Sequence, residues 1–80
     1  MPHVPLTDRD RAILDFEAAW HRDAPAKEEA IRAELALAPA RYYQLLVRLI
    51  DTAEAQQYDP LLVGRLRRLR DVTVRSRSAG

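Results

Sequence analysis

Residues 28–50 read EEAIRAELALAPARYYQLLVRLI, and the placing of their apolar side chains decides the fold. Ala30, Ile31 and Leu35 fall on one side of a helix that ends near Ala36. A short apolar turn, Ala36-Leu37-Ala38, follows, and Pro39 stands at the first helical position, where proline is favoured. Tyr42, Leu45, Leu46 and Leu49 then recur at helical spacing, while Tyr43, Gln44, Val47 and Arg48 lie towards the other side. Two short helices joined by a tight turn are the layout of a helix-turn-helix. The middle of such a turn is usually Gly, because its φ is positive. This chain has Ala36 there, which predicts a strained turn at a cost of roughly 1–2 kcal/mol. The usually small inward position four residues earlier is Arg32, and Tyr42 stands where a small β-branched residue usually packs.

Working outwards, Thr7 reads as the N-cap of a first helix to about His21, with Asp8 in its first turn and Asp10 placed to close a capping box. Ile13, Phe16 and Trp20 form its inner stripe, with Ala12 and Ala19 alongside. Arg9, Arg11, Asp15 and Glu17 fall on its wetter sides. Residues 22–25, RDAP, break the chain, with Asp23 or Ala24 as cap and Pro25 opening the second helix. Beyond the quoted stretch, residues 52–59 read as a link. Asp59-Pro60 starts a last helix to about Val72, with Leu62, Leu66 and Leu69 inside and Arg65, Arg67, Arg68 and Arg70 around them. The expected fold is all-α: a tri-helical helix-turn-helix core (motif at about 26–51) plus a basic fourth helix. A single domain would span 7–72, between a disordered lead-in at 1–6 and a disordered basic tail at 73–80.

Eighty residues hold one small domain with a thin stability margin. Without cysteine there is no disulfide framework and no thiolate metal site. No apolar run approaches the ~18 residues of a membrane span, and MPHVPLTDRD lacks the basic-then-apolar order of a signal peptide. The reading is a soluble cytoplasmic protein, at the nucleoid if it binds DNA. Its net charge of +1 conceals an asymmetry: residues 1–40 carry five basic and eight acidic groups, residues 41–80 eight arginines and four acids. Positive charge gathered in one region suits nucleic acid, although a solvated helix with a loose tail gives the same pattern.

The segments LTDRDRAILDFEAAW, KEEAIRAEL, RYYQLLVRLID and DPLLVGRLRRLR together resemble a family of small actinobacterial proteins known as domain of unknown function 3263, over roughly residues 6–70. The resemblance implies a Gly-Leu-Ser turn where this chain has Ala36-Leu37-Ala38. It brings no activity with it. More loosely, LTDRDRAIL followed by two helices is similar to region 4 of bacterial sigma factors, which implies a role in transcription.

The chemistry of catalysis is thin. His3 and His21 cannot make a zinc site without carboxylate partners, and neither a Gly-rich phosphate loop nor a nucleophile elbow is present. No enzyme activity and no cofactor are expected. The expected function is a small DNA-binding protein, a transcriptional regulator or nucleoid-associated factor, with helix 39–51 in the major groove of double-stranded DNA. Ala40 and Val47 would touch thymine methyls, Gln44 would pair with adenine and Tyr43 would join them at the base edges. Arg41 and Arg48 would meet phosphates, with Arg65, Arg67, Arg68, Arg70, Arg75 and Arg77 clamping the backbone. One such unit offers little area, so a homodimer on two half-sites is expected. The alternative is a protein-interaction module without DNA contact, in which the last helix, through Leu61, Leu62, Val63, Leu66 and Leu69, docks into a partner's groove or self-associates, for example on RNA polymerase or another transcription protein, with the acidic face of the first two helices as a further recognition surface.

Overall fold

The computed structural model describes the backbone of residues 5–20 and 24–79 and the side chains of residues 5–20 and 25–73. The side chains of His3, His21, Asp23, Arg75 and Arg77 lie outside the described residues. Everything ordered into regular structure among them is helix: α1 Asp8–Ala19, α2 Ala24–Leu35, α3 Pro39–Leu49, α4 Ala53–Tyr58 and α5 Pro60–Ala79. None of these helices is long and apolar enough to cross a membrane.

The first helix starts as its sequence dictates. Thr7 Oγ1 accepts from the Asp10 amide at 3.0 Å and the Asp10 carboxylate accepts from the Thr7 amide at 3.1 Å, so two otherwise orphaned donors are satisfied reciprocally. Leu6, expected in a disordered lead-in, packs against the core, and its carbonyl accepts from Arg11 at 2.8 Å. The α2–α3 turn carries the single positive φ among non-glycine described residues, +54° at Ala36. Ala38 then caps α3 with no side-chain hydrogen bond, as the absence of a hydroxyl there requires. Arg32, at the position that is usually small and inward in the motif, is exposed, and Ile31 beside it is fully buried.

Ile13, Leu14, Phe16, Ile31, Tyr42, Leu45, Leu46, Leu49 and Ile50 form the core with Ala55, Leu62 and Val63. Phe16 stacks on Trp20 with centroids 5.5 Å apart and meets Tyr42 edge-on at 5.7 Å. Leu14 is wholly buried, whereas Ala12 and Ala19, read as flanking the inner stripe, face outwards.

Three differences lie in the C-terminal half. The expected link at 52–59 contains α4, which is capped by Thr52 accepting from the Ala55 amide at 3.1 Å and anchored by buried Ala55. The last helix also continues past Val72 to Ala79. Its sequence there has no Gly or Pro before Gly80, so no residue in it breaks the helix. Finally, Leu69 is not inside: it is 58% exposed, and Val63, fully buried, takes its share of the packing. The core covers only the first turns of α5, and the helix runs on beyond it.

Candidate nucleic-acid interface

Helix α3 separates its two faces sharply. Tyr42, Leu45, Leu46 and Leu49 are buried, and Ala40, Arg41, Tyr43, Gln44, Val47 and Arg48 are exposed. Adjacent helical residues point about 100° apart, so two neighbouring tyrosines divide between core and surface. Ala40, Tyr43, Gln44, Val47 and Arg48 line one shallow open depression of about 450 Å³. The residues expected on the reading face are thus brought together on one surface. Tyr43 is 38% and Val47 50% exposed, so this surface has apolar as well as polar character.

Tyr43 is held rather than free. Its ring meets Tyr42 edge-on at 5.0 Å, and Lys27 Nζ lies 5.4 Å from its centroid and 5.7 Å from that of Tyr42. Lys27 donates to Glu17 Oε1 at 2.7 Å, and the Tyr42 hydroxyl donates to the same oxygen at 2.5 Å. The side chains of Lys27 and Glu17 are only 14% and 12% exposed. Burial, and next the bond to Glu17, push the Tyr42 phenol far above its ordinary range. The sequence placed Glu17 on a wet side of the first helix and gave Lys27 no role. Ten residues and a helix break separate them, so no periodic signal joins them. The clue available was that a core tyrosine needs an acceptor for its hydroxyl.

The other expected contacts divide. Arg41 Nη1 donates to Gln44 Oε1 at 3.4 Å, a long bond that leaves the amide nitrogen open. Arg48 is exposed. On α5, Arg65 and Arg68 are exposed and engage no acid among the described residues. Arg67 is already in use: its Nε donates to the Ile50 carbonyl and its Nη1 to Gln56 Oε1, both at 2.6 Å. Arg70 pairs with Asp51 at 2.7 Å and lies 3.6 Å from Asp71, and its hydrogen bond to Asp51 raises its already high pKa. These two arginines tie α5 to the end of α3, so they are not the free phosphate clamps expected of them.

Among the described residues no three His, Cys, Asp or Glu side chains gather where a metal ion could be held. A second depression, of about 420 Å³, lies between α1 and α2 and includes Phe16, Trp20 and Leu35 with Asp15 and Glu34. The buried Trp20 Nε1 has no hydrogen-bond partner.

Residues 5–78 match the family described as Protein of unknown function (DUF3263), and the chain belongs to that family. No curated protein and no solved structure matches it.

Proposed function

We propose that the protein is a small helix-turn-helix DNA-binding protein, a transcriptional regulator or nucleoid-associated factor, with α3 as its recognition helix. The observation that carries this reading is the bare outer face of α3, where Ala40, Tyr43, Gln44 and Val47 present a compact mixed surface while the opposite face is fully used in the core. The positive φ of Ala36 supports it, since a sharp bend between the two helices needs that backbone. In the major groove Gln44 would exchange its weak bond to Arg41 for a bidentate pair with adenine, and Val47 or Ala40 would contact thymine methyls. Arg41 and Arg48 would meet the flanking phosphates.

The test is a mobility shift on a pool of random duplexes, followed by selection of the retained sequences. Retention is expected at low salt and should weaken steeply towards physiological salt. Gln44→Ala and Tyr43→Ala should flatten the selected sequence, while Arg41→Ala with Arg48→Ala should weaken all duplexes alike. No retention at about 100 µM protein in low salt, where non-specific binders are held, ends this reading. The second reading is an adaptor of the transcription machinery that does not touch DNA. What favours it is the exposed apolar stripe on α5, with Leu61 at 85% and Leu69 and Val72 each at 58% exposure.

A further inference from the structure

Helix α5 has two faces with different fates. Leu62, Val63 and Leu66 turn to the core, and Arg67 and Arg70 are bound to the end of α3. Leu61, Arg65, Arg68, Leu69 and Val72 are all exposed, and at 100° per residue they fall within one arc of about 100°. This stripe is apolar, carries two arginines and runs for three turns. It has no acid in it.

The groove between α1 and α2 has the opposite character. Phe16, Trp20 and Leu35 give it an apolar lining, small Ala19 leaves it wide, and Asp15 and Glu34 stand on it as acids, Asp15 already accepting from the Tyr58 hydroxyl at 2.9 and 3.1 Å. The outer stripe of α5 and this groove are therefore complementary in charge and alike in apolar content. Pairing two α5 stripes directly is disfavoured. An antiparallel pair about their midpoint sets the arginines of one copy against those of the other, like charge against like. Docking the stripe into the groove sets arginine against carboxylate and leucine against aromatic rings.

We propose that the protein self-associates as a reciprocal dimer, in which α5 of each copy lies in the α1–α2 groove of the other. The occupant of the groove is a second copy of this chain. The two contacts are identical by a two-fold axis, so the assembly closes at two chains. Arg65 and Arg68 then serve the interface, and the outer face of α3 takes no part in it. The dimer therefore stands or falls separately from DNA reading.

The chain's single tryptophan lies in the groove, so its emission reports docking directly. Sedimentation of the full chain over about 1–100 µM, the range of small interfaces, is expected to move from 9.2 kDa towards twice that mass. Trp20 emission should shift to the blue over the same range. Leu69→Glu, at an exposed helical position, should abolish both changes and leave the far-ultraviolet circular dichroism intact. Glu34→Arg alone, and Arg65→Glu with Arg68→Glu, should each weaken association by at least about tenfold through charge reversal at both contacts. Mixing those two variants restores the native pairing at one contact and sets the arginine introduced at position 34 opposite the new glutamates at the other, and the mixture should form a heterodimer. A chain that stays monomeric throughout, a dimer indifferent to Leu69→Glu, a ladder of larger species, or two reversed variants that fail to re-associate on mixing would each overturn the proposal.

Discussion

Ala36→Gly should make the protein more stable. Alanine at a φ of +54° suffers the clash between Cβ and carbonyl that defines the left-handed region, worth about 1–2 kcal/mol. Glycine removes that clash but loses more backbone freedom on folding, which costs about 0.4–1 kcal/mol. Ala36 is exposed, so removing its methyl group takes little packing away. The net gain lies between about 0 and 1.6 kcal/mol, and its centre, about 0.8 kcal/mol, raises Tm by roughly 3–6 °C for a domain of this size. Thermal and urea unfolding followed by circular dichroism would measure it. Ala33→Gly, at an exposed site in the middle of α2, is the control. There the same atoms are removed from ordinary helix, and a loss of up to about 1 kcal/mol is expected. Opposite signs at Ala33 and Ala36 would establish the turn geometry in solution. Equal destabilisation by both substitutions would refute it.

Tyr42→Phe removes a hydrogen bond to a largely buried carboxylate and should cost about 1–2 kcal/mol in urea unfolding, Glu17 keeping Lys27 as partner. Because burial and the Glu17 bond raise the folded pKa of Tyr42 above the ordinary 10.0, its contribution is complete below pH 10 and falls as pH rises beyond it. The wild type should then lose up to about 1.4 kcal/mol per pH unit from this group, a loss absent from Tyr42→Phe when the two alkaline unfolding curves are compared. Arg67→Ala should destabilise by about 1–2 kcal/mol by leaving the Ile50 carbonyl and Gln56 without their donor. Arg65→Ala and Arg68→Ala, both at exposed positions, should each stay within about 0.5 kcal/mol in the same denaturation series.

Where periodicity and burial coincide, the sequence was readable. The inner stripe of α3 and the split between Tyr42 and Tyr43 follow from 3.6 residues per turn once the turn at Ala36 is located, and Thr7 and Pro39 mark helix starts by their chemistry alone. Leu69 defeats the same rule. Its spacing from Leu62 and Leu66 is helical, but a period describes a face and not how far a core extends along it, and α5 outlasts the core. Helix α4 was illegible for a related reason. Six residues give less than two turns, and its stability rests on one cap and one buried alanine. The Lys27–Glu17–Tyr42 cluster and the anchoring of Arg67 are long-range pairings of common polar residues, which leave no local trace. The candidate reading face was legible because it is what remains of α3 when the core stripe is subtracted.

The state of the arginines sets what DNA binding should look like. Each phosphate contact contributes about 0.9 to the slope of log K against log salt. The full expected clamp of Arg41, Arg48, Arg65, Arg67, Arg68, Arg70, Arg75 and Arg77 would give a slope of about −7 for one chain. Arg67 and Arg70 are instead held by the Ile50 carbonyl, Gln56 and Asp51, and releasing them would strip α5 of its hold on the end of α3. If Arg65 and Arg68 are also committed to a second copy, Arg41, Arg48, Arg75 and Arg77 remain, and the slope falls to about −4 per chain. Measured over a salt series on one selected duplex, that shallower slope goes with weak binding by a single chain and a strong dependence on pairing two of them. A slope near −7 from a monomer would mean that Arg67 and Arg70 abandon their partners on DNA, since the other six arginines alone give about −5. Arg67→Ala would then lower the slope as well as the stability, whereas the intramolecular role predicts a loss of stability alone.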